Sequence, residues 1–264
     1  MLHLPKALTT ETLAAWRSMA ARATWIDGRA TAGGAAAQLK RNEQVDERSD
    51  DGNVIAETVL KALQRHALFE AAAFPARVTR PLMNRYAPGM EYAPHVDNPL
   101  MGGSNPLRTD LSGTLFLSDP GDYDGGELVV DSLAGRQGVK LPAGDLFLYP
   151  ATRVHYVAPV TRGVRLGAIF WIQSLVGDTE KRSLLFEMSR ALQALEQHLR
   201  PSPVITPLPL SYSLLVLLLS LPLPPLPLFL HPLFFRPTIL SFCFLFSFFS
   251  LSSPLVLSPV SPLS

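Results

Sequence analysis

Residues 145–172 read DLFLYPATRVHYVAPVTRGVRLGAIFWI. Three short runs rich in Leu, Phe, Tyr, Val and Ile are separated by Pro150, Pro159 and the turn Thr161-Arg162-Gly163. Runs of this length, rich in β-branched and aromatic residues and bounded by Pro and Gly, read as strands. Working outward, the pattern starts after Phe74-Pro75 with RVTRPLMNRY, MEYAPHV, DLSGTLFLS, GELVVDS and GVKLP. That makes eight strand candidates between residues 77 and 172, the spacing of a sandwich or barrel. Turn signals punctuate them at Asp119-Pro120-Gly121-Asp122, at Asp124-Gly125-Gly126, a tight connection into the next strand, and at Ala143-Gly144-Asp145.

On the N-terminal side, Thr9-Thr10-Glu11-Thr12 caps an apolar-periodic helix running to about Ala23. The stretch TAGGAAAQ and the charged segment KRNEQVDERSDDGN follow, and Asn53 is placed to cap a second helix from Val54 to Ala67. After the strands comes an amphipathic helix from Thr179 to Leu199. The fold class expected is mainly β with flanking helices: a double-stranded β-helix (jelly roll) supported by N-terminal helices and a C-terminal helix. The domain division expected is a helical support region at 1–75, a jelly-roll core at 76–177, a C-terminal helix at 178–200 and a tail at 201–264.

Composition changes abruptly near residue 200. All 22 carboxylate side chains and all but one of the 23 Lys and Arg residues lie in 1–200, the exception being Arg236. A balanced charge over those 200 residues argues against a nucleic-acid or membrane-surface footprint. The only cysteine, Cys243, is in the tail, so the body has no disulfide framework and no thiolate metal site. That fits a reducing, cytoplasmic compartment, and MLHLPKALTTETL lacks the pattern of a signal peptide. Of the 64 tail residues, 52 are Leu, Pro, Ser or Phe, whose codons can all begin with two pyrimidines. Translation of a pyrimidine-rich tract, giving a disordered segment, is the first reading of this tail. A membrane anchor is the rival, but Leu210–Leu221 and Thr238–Ser253, the longest proline-free stretches, fall short of the roughly 20 residues a spanning helix needs.

Within the strand region, His95 and Asp97 are two apart, so in extended chain both side chains face the same way. Of the six histidines, only His155 shares the β region with His95. Two imidazoles and a carboxylate on one face of an octahedron form the ligand set of non-haem Fe(II) oxygenases and leave positions open. Arg165 opens the apolar strand RLGAIFWI, where an unpaired charge is costly, and its planar fork suits a carboxylate such as the far end of a chelating oxo-acid. Arg162 competes for this role but lies in the turn. The phenols of Tyr86 and Tyr92 around Pro88-Gly89, and of Tyr149, are placed to hydrogen-bond the same co-substrate or to pack the strands. Asn42 and Gln44 read as a solvated loop, or as a lining of the substrate entrance.

The stretches MNRYAPGMEYAPHVDNPLM, RTDLSGTLFLSDPGDYDGGELVV, LPAGDLFLYPATRVHYVAPVTRGVRLGAIFWIQSLV and KRSLLFEMSRALQAL resemble the PKHD-type hydroxylases, Fe(II)/2-oxoglutarate-dependent dioxygenases allied to prolyl 4-hydroxylases. The resemblance covers residues 1 to about 200. It implies iron ligation by His95, Asp97 and His155, 2-oxoglutarate anchored by Arg165, O2 as oxidant and ascorbate as reductant. It also implies a helical closing region, which here gives way to the tail near Arg200. The substrate expected is a small molecule or a peptidyl side chain, with no nucleic-acid partner and no membrane association of 1–200; a homodimer is compatible. Two other readings stand beside it: a non-catalytic metal-binding barrel acting as an iron or oxygen sensor, and a cupin-type metal enzyme without 2-oxoglutarate. Arg165 favours the dioxygenase over both.

Overall fold

Alternate residues of the central strands face two different cores. Along Leu111–Phe116, Leu111 and Leu115 join one apolar cluster and Phe116 joins another. Leu146 and Leu148 likewise part company with Phe147 and Tyr149 on the next strand. This period of two is what a sheet covered on both faces requires. The computed structural model describes residues 1–32, 35–101 and 105–198, and within the tail 212, 213, 215, 216 and 219.

An eight-stranded sheet runs, edge to edge, Leu2–Leu4, Leu146–Pro150, Leu111–Phe116, Arg165–Ser174, Leu82–Tyr86, Glu43–Val45 and Trp25–Asp27, with Pro75–Val78 also paired to Arg165–Ser174. A five-stranded sheet runs Gly135–Val139, Leu128–Ser132, His155–Val157, Glu91–His95 and Lys40–Arg41. Every pairing is antiparallel. The sheets face each other across Phe116, Phe147 and Tyr149 from the larger and Leu128, Val130 and Val139 from the smaller. This is the jelly roll. The outer face of the large sheet packs on Trp16, Met19, Ile55, Val59 and Leu63 of two helices, Thr10–Arg22 and Asp50–Gln64. The Phe170 ring lies over its register partner Gly113, where a Cβ would come 2.5 Å from Phe170 Cζ. Glycine at Gly125 has a different reason: φ is +70° and a Cβ there would meet the Pro159 carbonyl oxygen at 2.1 Å.

The expected strands are present, with three local differences. RVTRPLMNRY is broken at Thr79-Arg80-Pro81 into two strands, because proline cannot donate to a ladder. VHYVAPV is similarly divided, since Pro159 ends His155–Val157 and Val160–Gly163 pairs elsewhere, with Tyr123–Gly125. The strand expected at GVKLP begins earlier, at Gly135.

The second helix starts at Asp50 rather than Val54. Ser49, not Asn53, is its cap, with Oγ accepting from the Gly52 amide at 3.0 Å. It stops at Gln64, and His66 caps a separate helix, Ala67–Ala73, by accepting from the Phe69 amide. The N-terminal third is also less purely helical than expected, because Leu2–Leu4, Trp25–Asp27, Lys40–Arg41 and Glu43–Val45 extend the edges of both sheets. The helix Thr179–His198 starts where expected.

The compact unit spans Met1–Leu221. Most of the tail reading, including His231, Arg236 and Cys243, falls outside the described residues. Of those described, Tyr212, Leu215, Val216 and Leu219 pack against Phe74, Val176 and Leu185, and the Tyr212 hydroxyl donates to the Leu185 carbonyl at 3.0 Å. Among the described residues no helix is long and apolar enough to cross a membrane.

Candidate metal centre

His155 and His95 are register partners on neighbouring antiparallel strands, so their side chains leave the same face of the small sheet. Asp97 lies just past the end of Glu91–His95, and its carboxylate joins the two imidazoles. One ligand atom from each of the three lies within 4.8 Å of the others. His95 Nε2 is 3.9 Å from Asp97 Oδ1, and His155 Nε2 is 3.7 Å from Asp97 Oδ2. All three side chains are between 6% and 8% exposed, so the cluster is closed to bulk water on most sides.

The hydrogen bonds behind the rings decide which atoms are free to ligate. His95 Nδ1 bonds the Ala93 carbonyl at 2.8 Å and His155 Nδ1 bonds the Arg153 carbonyl at 3.0 Å. A carbonyl only accepts, so each Nδ1 carries the hydrogen and the neutral ring leaves a bare lone pair on Nε2. Burial, reinforced by the His155 ring, holds the His95 imidazole below its ordinary value, which favours the neutral ring. Ser112 Oγ donates to Asp97 Oδ2 at 2.5 Å and fixes the rotation of that carboxylate. Tyr92 stacks on the His95 ring at 3.6 Å, and Tyr149 meets the His155 ring edge-on at 4.9 Å. Two nitrogen lone pairs and a carboxylate, held from behind and converging without any thiolate, fit a divalent first-row metal such as Fe(II).

Arg165 belongs to the opposite sheet, where its register partner is Tyr86. It is 2% exposed, its guanidinium lies 5.3 Å from the Tyr86 ring and 5.5 Å from the Phe116 ring, and its Nε has no hydrogen-bond partner. Arg162, the competitor, is exposed and is held by both carboxylate oxygens of Asp124 at 2.6 and 3.0 Å. A single cavity is lined by His95, Asp97, His155, Arg165 and the tyrosines Tyr86, Tyr92 and Tyr149. Burial pushes the Tyr86 phenol up to about 12 and raises those of Tyr92 and Tyr149 further, so all three are neutral.

Of the remaining histidines, His3 pairs with Asp145 at 2.7 Å and His66 caps a helix. Asn42 and Gln44 are not a solvated loop: they are 4% and 1% exposed and both donate to Asn84 Oδ1. Strand pairing of Glu43–Val45 with Leu82–Tyr86 carries them inside. Two residues at the site had no notice in the sequence. Ser112 had a faint signal, since Ser112 and Thr114 place polar groups on alternate positions of an apolar strand. Lys40 had none, because a charged run gives no sign of burial, yet Lys40 is 3% exposed and lines the cavity.

A family model described as the 2OG-Fe(II) oxygenase superfamily matches residues 81–173. The chain is 48% identical over 202 residues to the PKHD-type hydroxylase YbiX of Escherichia coli strain SMS-3-5, which covers 75% of this chain and 89% of that protein. A PKHD-type hydroxylase from Janthinobacterium sp. strain Marseille is 50% identical over 202 residues, with 75% and 89% covered. Among solved structures, a Pseudomonas putida prolyl-4-hydroxylase aligns with a TM-score of 0.44 at 18% identity, over 66% of this chain and 91% of that one.

Proposed function

Since this chain belongs to the PKHD-type hydroxylases, within the 2OG-Fe(II) oxygenase superfamily, we propose that His95, Asp97 and His155 are its iron ligands and Arg165 its 2-oxoglutarate anchor. The protein is a 2-oxoglutarate-dependent hydroxylase. The observation that carries the residue assignment is the meeting of two imidazole Nε2 atoms and a carboxylate in the cavity that also holds a buried, incompletely partnered guanidinium. When bound, Fe(II) supplies the activation of O2 that couples decarboxylation of 2-oxoglutarate, to succinate and CO2, with hydroxylation of a substrate C–H bond.

The chain's own residues supply geometry and a dry, shaped site. The carbonyls of Ala93 and Arg153 hold the two rings with Nε2 inward, and Ser112 holds the carboxylate. Arg165 receives the distal carboxylate of 2-oxoglutarate through paired N–H donors, and the Tyr86 and Tyr92 phenols are neutral donors toward the same co-substrate. The Tyr92 and Tyr149 rings cover the imidazoles and exclude water from them. Ascorbate enters as the reductant by family resemblance, and a cysteine-free body of 200 residues supports a reducing, cytoplasmic setting. A non-catalytic metal-binding barrel would leave Arg165 without purpose.

Chelation is the direct test. Removing metal should stop succinate formation from 2-oxoglutarate, and added Fe(II), but not Zn(II), should restore it; activity indifferent to chelator would refute the reading. Ser112→Ala should keep the fold, by circular dichroism, while weakening Fe(II) affinity by roughly 10- to 100-fold, the usual cost of losing a group that orients a ligand.

A further inference from the structure

Lys40 sits in the two-residue strand Lys40–Arg41, whose register partner for Lys40 is Tyr92, the residue stacked on His95. It is 3% exposed, with Nζ 5.6 Å from the Tyr92 ring centroid. Lysine is rarely buried to this degree without a counter-charge, because taking an ammonium out of water is costly unless another charge compensates it. Among the described residues its ammonium, with three hydrogens to donate, has one hydrogen-bond acceptor, Thr31 Oγ1 at 3.3 Å. Two carboxylates act on it only through space: Asp27, which is paired with Arg29, and Asp97, which faces the two imidazoles. Burial brings Lys40 down to about 8, so at neutral pH it is still mostly a cation.

The surroundings hold the ammonium in place. Thr31 Oγ1 bonds Gln44, Gln44 Nε2 donates to Asn84 Oδ1 at 2.5 Å, and Asn42 Nδ2 donates to the same oxygen at 3.2 Å. Gln44, Asn84 and Asn42 are 4% exposed or less. A buried polar chain thus runs from the heart of the large sheet to a cation on the last strand of the small one. Lys40 lines the cavity of the metal cluster, together with the apolar residues Met101 and Trp171. Arg165 is on the other sheet, over Tyr86. The cavity therefore has two separate cationic points, one more than a single co-substrate requires once its near end is on the metal and its distal carboxylate is on Arg165.

We propose that Lys40 is the anchor for a carboxylate on the primary substrate, which the enzyme selects as an anion with an apolar body lying along Met101 and Trp171. This rests on the 2-oxoglutarate hydroxylase reading above and assigns the second cation of that cavity. The probes are 4-phenylbutyrate and its neutral isostere 4-phenylbutyramide. Each is titrated calorimetrically, without oxygen, into the protein loaded with Fe(II) and saturating 2-oxoglutarate. Wild type should bind the carboxylate at least tenfold more tightly than the amide, as expected for a charge-assisted contact. Lys40→Met should erase that preference and Lys40→Arg should restore most of it, with the visible band of bound 2-oxoglutarate the same in all three proteins.

Thermal melting separates recognition from packing. Lys40→Met should melt no lower than wild type, since it removes a buried charge. Equal binding of the two probes by wild type, no binding of either, or a preference that survives in Lys40→Met would each overturn the proposal. Absence of the 2-oxoglutarate band in wild type would instead strike the hydroxylase reading itself.

Discussion

Replacing His155 with alanine is expected to abolish Fe(II) binding and to stop succinate formation. His155 contributes one of only three donors, and it does so from the middle of a sheet, flanked by Leu128–Ser132 on one side and Glu91–His95 on the other. Among the described residues, neither His3, tied to Asp145, nor His66, tied to the start of a helix, can take its place. The residual pair, His95 and Asp97, would hold a metal from two points instead of three. The loss should exceed the roughly 100-fold cost of removing a hydrogen-bond partner of a ligand, and Ser112→Ala provides that comparison in the same protein. Metal content after dialysis and succinate yield measure the outcome; turnover like wild type would refute the ligand assignment. Circular dichroism should be unchanged, because the backbone pairing of His155–Val157 does not depend on the imidazole.

Arg165→Met is expected to leave iron bound and to raise the KM for 2-oxoglutarate by roughly 30-fold or more, the lower end of what losing one partner of a buried charge pair costs. The guanidinium is buried between two aromatic rings and its Nε is unpartnered. Removing it therefore relieves a desolvated charge in the free protein while taking the counter-charge from the bound co-substrate. Stability and affinity should move independently: a melting temperature near that of wild type, together with a large rise in KM. Arg165→Lys should recover only part of the affinity, since an ammonium cannot present two parallel N–H donors to one carboxylate. An unchanged KM in Arg165→Met would direct attention back to Arg162.

The parts of the structure that the sequence carries openly are those with a local cause. Strands bounded by Pro and Gly, the Thr9-capped helix and the His95/Asp97 spacing all follow from periodicity and turn chemistry within a few residues. Arg165 was visible because a charge at the head of RLGAIFWI contradicts its surroundings. What stayed hidden depends on pairing over long range. Lys40-Arg41 and Glu43–Val45 are too short and too charged to register as strands, and only their edge positions, beside Glu91–His95 and Leu82–Tyr86, carry Lys40, Asn42 and Gln44 indoors. The helix boundary at Ser49 was misplaced for a different reason: Ser49 and Asn53 are both good caps, and in the fold it is Ser49 whose side chain accepts from the first turn, at the Gly52 amide. The same long-range logic brings His95 and His155 together, since they are far apart in sequence and meet only through antiparallel register.

The central claim is that His95, Asp97 and His155 hold a ferrous ion whose open positions accept 2-oxoglutarate. Anaerobic titration of the apoprotein with Fe(II), then with 2-oxoglutarate, tests it most directly. Wild type should develop the weak visible charge-transfer band of an Fe(II)-chelated 2-oxo-acid, saturating at one equivalent of iron, and His155→Ala should develop none. A folded wild-type protein that takes up Fe(II) and 2-oxoglutarate without that band, or an equal band in His155→Ala, would contradict it.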